Sequence, residues 1–436
     1  MRRRAITVLG LFCVACAVAA YATEYEMPSY AFLKDKIDAG EDITVVYFGG
    51  SITQGAMTYP WQGVNRDGQP YDYSAVSDPE VFSWRARTFT WLKKQYEKRP
   101  GQFHRVNAAI GATDSELGAY RLARHVLAAK PDLLFIEFAI NDNGVGPLSD
   151  NPEADRSIYR TLSSIVSRAR AENPNLAIFI PVSTARDLDP AVYAGFQPAR
   201  AHHIRFAEMF HLPYLDIHKV YFESPLPEGV TPNNVFDGPD VPGCRVHPSS
   251  LGHQAYAEGV SSVLQDLIEH HRFEFAEPKR NAWFEPYPRN PELIVAKDLP
   301  AGEGWTLQKG AAFVNLKTHV CHDTEILFTD QAGSRFTMNF SGSSVYLWGQ
   351  QHYPGLGDIA GRMAVSVDGV HLAVFSSPDH SEEGDLLLMR MMPVVRDLNP
   401  AVPHVLEVVT LPLENEAPTR IGLHGIGFDR PAPSEK

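Results

Sequence analysis

A set of short apolar runs, three of which stop abruptly at a glycine or an amide, restricts the fold more than any other feature. The first is Thr44–Phe48, TVVYF, which is β-branched and aromatic, with no charge and no helical spacing. Such a run reads as a strand buried on both faces, as in a parallel sheet covered by helices. Gly49 and Gly50 end it, and Ser51 is the first polar side chain beyond. Open α/β sheets take their ligands just outside the carboxyl ends of the strands. Ser51 therefore has two readings at this point, a nucleophile or the N-cap of the next helix.

Four more runs follow: Phe103–Ile110 into Gly111, Leu133–Ile140 into Asn141-Asp142-Asn143-Gly144, Ala177–Pro181 and Tyr214–Ile217. Helical segments separate them, at Phe82–Lys98, Leu117–Ala129, Asp155–Glu172 and His202–Phe210. A closing helix, Gly252–His271, comes after His247-Pro248. A short amphipathic helix within Tyr25–Gly40 leads in. Five alternations of strand and helix predict an α/β fold, three layers α/β/α around a five-stranded parallel sheet. Tyr59–Glu80 lacks periodicity and is rich in Gly, Pro, Asp and Tyr, so it reads as a long surface loop. Its Trp61, Tyr71 and Tyr73 suit stacking on sugar rings, or folding back on the loop itself.

The character changes after Phe275. The stretch 276–304 is Pro-rich and reads as a linker. From Glu325 to Phe428 short alternating runs are separated by turn signals such as Asp368-Gly369. Residues 305–436 are thus expected to form an all-β sandwich of jelly-roll kind. Exposed aromatics and the loop Gln350–Gly361 suit glycan binding; a spacer without a ligand is the other reading.

Residues 1–22 have three arginines, an apolar run and a small-x-small site at Ala20-Tyr21-Ala22, the plan of a secretory signal peptide. The protein is expected to be secreted or periplasmic, with 23–275 as its first domain. A retained membrane anchor is the alternative, and no other stretch is long and apolar enough to span a bilayer. The formal net charge of −13 becomes −16 once the leader's arginines are gone. That acidity argues against nucleic acid or an anionic membrane as partner. Cys244 and Cys321 remain beyond the leader, and their spacing does not decide whether they pair. No structural-zinc spacing, P-loop or dinucleotide fingerprint is present.

Taken together, Gly49-Gly50-Ser51, RVNAAIGATDS around Gly111, PDLLFIEFAIND around Asn141 and His247-Pro-Ser-x-x-Gly-His253 resemble the four blocks of the SGNH/GDSL hydrolase superfamily. The resemblance spans Thr44 to Ile268, and its second and third blocks look like those of secreted bacterial carbohydrate esterases. It implies a flavodoxin-like sheet and an acyl-ester hydrolase that needs no metal or organic cofactor. Ser51 would be the nucleophile and His247 its base. The backbone N–H groups of Ser51 and Gly111, with the Asn141 amide, would form the oxyanion hole. The implied substrate is an acylated carbohydrate, with acetyl the foremost acyl group. A lipase or other acyl-ester hydrolase, and a non-catalytic glycan-binding protein, are the rivals.

This chain departs from the blocks twice. Gly50 stands where the family usually has Asp. Cys244 stands three residues before His247, where the family places the acid that orients the imidazole. Either Asp240 or Asp237 takes over that task, or Ser51 and His247 act as a dyad oriented by a backbone carbonyl. A Cys244–Cys321 bond would clamp the His247 loop to the second domain. His253 is expected to be a structural hydrogen-bonder. His202, His203 and His211 should cap or pack around a helix. Asp114 and Ser115 read as turn-formers ahead of substrate contacts, and Asp142 as a cap after Asn141.

Overall fold

The computed structural model describes residues 23–56, 79–111, 113–142, 156–186, 190–236, 246–276, 286–309, 325–350, 361–376, 389–413 and 419–430. The leader, most of the Tyr59–Glu80 loop, Asp237, Asp240, Cys244, Cys321 and nearly all of Gln350–Gly361 lie outside them.

The first region runs β1 (Thr23–Glu26), α1 (Pro28–Asp38), β2 (Ile43–Gly49), α2 (Ser51–Gln54), α3 (Pro79–Phe82), α4 (Trp84–Tyr96), β3 (Phe103–Asn107), α5 (Ser115–His125), β4 (Leu133–Glu137), α6 (Arg156–Glu172), β5 (Ala177–Val182), α7 (Pro190–Phe210), β6 (Tyr214–Asp216), α8 (Ile217–Phe222), α9 (Ser250–His270) and β7 (Arg272–Phe275). β2 to β6 form a parallel sheet in the order β3-β2-β4-β5-β6, while β1 and β7 pair antiparallel and tie the two ends of the region together. Alternate residues of each strand feed opposite cores, as the two-residue period of a strand requires. Val45, Tyr47, Phe135 and Phe179 pack on one side with residues of α1, α4 and α9, such as Tyr30, Trp84 and Tyr256. Val46, Phe48, Ile136 and Ile178 pack on the other with residues of α5, α6 and α7, such as Leu122, Leu162 and Phe206. This is the flavodoxin-like α/β/α arrangement. Its strand order reverses between β2 and β4, where such folds open their ligand crevice.

The second region is antiparallel: β8 (Pro291–Val295), β9 (Thr306–Lys309), β10 (Glu325–Thr329), β11 (Arg335–Ser341), β12 (Val345–Gln350), β13 (Arg362–Val367), β14 (Val370–Ser376), β15 (Met389–Val395), β16 (Pro403–Leu411) and β17 (Ile421–Asp429). One sheet is ordered β15-β12-β17-β10-β9, with β8 also on β17, and the other β11-β16-β13-β14. Leu347, Phe336, Val365, Val408 and Leu423 fill the space between them.

Four details differ from the sequence reading. β4 ends at Glu137, and the next three residues turn so that Asn141 N donates to Phe138 O at 2.9 Å. α7 begins at Pro190 and carries Pro198 inside it, so a proline that normally stops a helix was no boundary here. The expected linker contributes β8, whose Val295 is buried at the junction of the two regions. Among the described side chains of the sandwich, Trp, Tyr and Phe are buried rather than exposed. Among the described residues its exposed large hydrophobics are Leu307, Val370, Leu372, Val402 and Val405, whereas Trp305, Phe336, Phe340, Tyr346, Trp348 and Phe428 are buried.

Candidate active site

Three loops leave the carboxyl ends of β2, β3 and β4, and the sequence puts Ser51, Gly111 and Asn141 on them. Ser51 opens α2 directly after the two glycines. The N-cap is Gly50, so Ser51 is the first helical residue and its hydroxyl does not cap the helix. That hydroxyl is directed across the crevice, with Oγ 2.7 Å from His247 Nε2 although the two residues are 196 apart in the chain. Ser51 is 7% exposed, so the pair is sheltered but reachable.

The other two loops close on the same turn. Ile110 N donates to Gly49 O at 3.0 Å, which fixes Gly111 beside the serine turn. Asn141 leans over Gly50: a Cβ added at residue 50 would stand 2.1 Å from Asn141 Oδ1. The departure at Gly50 thus has a steric reason, because the Asn141 amide occupies the space a side chain would need. Gly49 is constrained too, since a Cβ there would meet Glu137 O at 2.4 Å.

Buried polar groups hold these turns. Arg121, fully buried on α5, donates through Nη1 to Ala108 O and through Nη2 to Gly49 O at 3.0 Å and Thr113 Oγ1 at 3.2 Å. Its guanidinium lies 4.4 Å from the centre of the Phe48 ring. Arg85 of α4 reaches the far end of α2, donating to Thr53 O at 3.0 Å and Gln54 O at 3.2 Å. Those carbonyls carry the negative end of the helix dipole, which a cation suits. Thr53 Oγ1 donates to Glu137 Oε2 at 2.8 Å, and Ser183 Oγ donates to the other carboxylate oxygen. Burial raises the Glu137 carboxyl above its ordinary pKa, against the pull of those two donors.

Asp142 does more than cap a turn. Its Oδ1 accepts from Ser115 N at 2.8 Å and its Oδ2 lies 2.8 Å from His203 Nε2, so the Asn141 and Gly111 loops are tied together and to α7. His253, six residues after His247, receives Trp84 N at Nδ1 (3.1 Å) and donates from Nε2 to Ala56 O (3.1 Å). Those two bonds fit the structural role expected of it, and burial pushes its imidazole down to about 3, which favours the neutral ring. Asp114 caps α5 by accepting from Leu117 N at 2.9 Å, as a turn-former should, whereas Ser115 is the first residue of α5 and its Oγ lies 2.7 Å from Thr161 Oγ1 of α6. His202 lies 3.0 Å from the Tyr159 hydroxyl and His211 stacks on Tyr25, both packing roles. Asp240, Asp237 and Cys244, the candidates for orienting His247, fall outside the described residues. Among the described residues no group of three or more His, Cys, Asp or Glu is placed to hold a metal ion.

Arg121, Arg85 and Glu137 escaped the sequence reading, as did the Asp142 partner of His203, a histidine expected only to cap or pack around a helix. Each is a charged or titratable residue inside an apolar pattern, and that mismatch is the available signal for a buried hydrogen-bonded group.

Residues 47–255 match the model of the GDSL-like lipase/acylhydrolase family. The matched residues lie within the first region, the GDSL-like domain. The GDSL-like domain and the sandwich together superpose on a two-domain esterase, CEX, described as active on acetylated mannans and co-crystallised with mannopentaose. That match has a TM-score of 0.66 at 17% identity and covers 95% of this chain and 98% of the other. A second crystal structure of CEX gives a TM-score of 0.66 at 18% identity, covering 92% and 95%. At these identities the likeness establishes a shared fold across both regions. The chain matches no curated protein.

Proposed function

We propose that this chain is an exported carbohydrate esterase that removes acyl groups, acetyl foremost, through an acyl-serine intermediate. The single observation that carries the reading is the 2.7 Å approach of Ser51 Oγ to His247 Nε2 at the strand-order reversal of the sheet. The GDSL-like family supports acyl-ester hydrolysis, and the acetylated mannans on which CEX acts motivate the carbohydrate. Export rests on the Arg-led apolar leader of residues 1–22.

In this reading His247 takes the Ser51 proton as Oγ attacks the ester carbonyl. The oxygen of the tetrahedral intermediate accepts from the N–H groups of Ser51 and Gly111 and from the Asn141 side chain. Donors fixed beforehand stabilise that charge without reorganising, and losing one typically costs about 10²–10³ in rate. The intermediate collapses, and the sugar alcohol leaves with the proton from His247. Water, deprotonated by the same imidazole, then attacks the acyl-serine and releases the carboxylic acid. Asp240, Asp237 or a backbone carbonyl orients the imidazole.

A fluorophosphonate probe tests the reading. The wild type should be labelled, Ser51→Ala should not, and acetate should be released from acetylated glycans by the wild type alone. A folded wild type that takes no label would leave the chain a glycan-binding protein. Labelling that persists in Ser51→Ala would move the nucleophile elsewhere.

A further inference from the structure

The sandwich is joined to the GDSL-like domain through the turn that carries Gly111. Ile110, Leu117 and Tyr120 of the domain and Val295, Tyr346 and Trp348 of the sandwich form one buried cluster, with Tyr287 and Leu293 packed against it. The Tyr120 and Tyr346 rings lie 5.1 Å apart. Ile110 precedes Gly111 directly. Its N–H is given to Gly49, its carbonyl accepts from Thr113 Oγ1 at 2.7 Å, and its side chain is spent entirely on the cluster.

The sandwich side is stiff. Tyr346 and Trp348 stand on β12, which is paired on both edges, with β15 and β17. Arg396 Nε donates to the Tyr346 hydroxyl at 2.7 Å, the Tyr346 hydroxyl donates to Tyr287 at 3.3 Å, and Arg396 reaches Glu116 of α5 at 3.5 Å. Tyr287 N donates to Arg160 O and Ser164 Oγ to Pro288 O, which pins the same corner to α6. The junction therefore bears on the start of α5 and on the turn before it.

We propose that the sandwich is a buttress for the oxyanion turn: Tyr346 and Trp348, in one buried cluster with Ile110, hold the Gly111 N–H where the chemical step needs it. The proposal rests on the reading of Gly111 as an oxyanion donor. It gives the second region a part in turnover that differs from glycan capture and from mere spacing. A displaced donor loses much of its value, since small misplacements near a reacting atom can cost up to about 10²-fold. Ile110, Tyr346 and Arg396 are thus positioning residues.

The test uses the full chain and a small soluble acetate ester alongside an acetylated polymer. Tyr346→Leu and Ile110→Ala should lower kcat on the small ester by about 10-fold, with KM within about twofold. Fluorophosphonate labelling should slow in the same proportion. Arg396→Ala, at a half-exposed position, should cost about 2- to 5-fold by the same route, and Tyr346→Phe should recover most of the loss of Tyr346→Leu. Val408→Ala, in the sandwich core away from the junction, should lower Tm and leave small-ester kcat unchanged. Unchanged small-ester kcat in all the junction variants would overturn the proposal, as would a rise in KM on the polymer alone, which indicates glycan capture. An equal fall in kcat for Val408→Ala would reduce the effect to general destabilisation and also overturn it. A folded wild type that is never labelled would remove the nucleophile itself, whereas a labelled wild type with unaffected junction variants would remove only the buttress.

Discussion

The two regions satisfy their buried polar groups in different ways. At the carboxyl edge of the parallel sheet, turns carry carbonyls beyond the last ladder bonds, and buried side chains supply donors: Arg121 to Gly49 and Ala108, Arg85 to Thr53 and Gln54. In the sandwich, antiparallel strands exchange hydrogen bonds along most of their length, interrupted by a few register shifts, and Leu347, Val365, Val408 and Leu423 fill the core with hydrocarbon. Backbone groups buried without partners cost stability, and the two architectures remove that cost by different means. The difference teaches where function can sit. A strand end needs polar company anyway, and that company holds a serine, an amide and a bare N–H in fixed relation.

The largest test of this contrast is Gly50→Ala. The new Cβ would meet Asn141 Oδ1 at 2.1 Å, so the amide must swing away from the serine turn. Expected is a loss in kcat of about 10²–10³, the size of one oxyanion donor. Asn141→Ala should lose about as much, and the double variant little more, because both remove the same amide. Wild-type turnover in Gly50→Ala would break the claim that this amide is held for chemistry. A glycine in the sandwich under similar crowding, Gly425, whose added Cβ would meet Ile294 O at 2.6 Å, should cost stability and spare kcat.

Next comes Arg121→Met. It keeps the stem and removes the fork, so Ala108 O and Thr113 Oγ1 lose the Arg121 donor and Gly49 O keeps Ile110 N, for a loss of about 3 kcal/mol. Val408→Ala removes only hydrocarbon and should cost about 2 kcal/mol. Urea midpoints at unchanged m-value measure both. A smaller loss for Arg121→Met than for Val408→Ala would mean that the charged clamp matters less than the geometry indicates.

The sequence reading reached the parts of this contrast that depend on periodicity. Strands β2 to β6 and most sandwich strands were legible because an uninterrupted apolar run or a strict alternation has few structural meanings. Ser51 and His247 were legible because glycine-ended strands and a family's spacing mark them. Arg121, Arg85, Glu137 and the Asp142–His203 pair were not, since their roles come from partners 61 residues away or from loops that meet only after the sheet forms. The burial of Tyr346 and Trp348 was missed for a related reason: alternation shows which faces differ, and leaves open whether a second region covers the outer one. β8 was hidden by prolines, which suit the end of a strand as well as a linker.

The smallest effect compares one buried histidine from each region. Burial pushes His253 of the GDSL-like domain down to about 3 and His424 of the sandwich down to about 4. Both sit below the ordinary value near 6.5, so unfolding lets each imidazole take up a proton. Their stabilising contributions are whole above pH 6.5 and shrink as pH falls through the window, to about pH 3 for His253 and about pH 4 for His424. Each histidine should weaken the fold by about 1.4 kcal/mol per pH unit between pH 6 and 5, above the range where most carboxylates titrate. Urea unfolding at several pH values measures the slope. His424→Leu should remove one proton's worth in the sandwich, and His253→Asn, whose amide can still accept and donate, one proton's worth beside the Ser51 turn. If only His253→Asn also lowers kcat, then the neutral imidazole tying Ala56 to Trp84 serves the site, while His424, hydrogen-bonded to the Glu325 backbone beside Trp348, serves the stability of the sandwich.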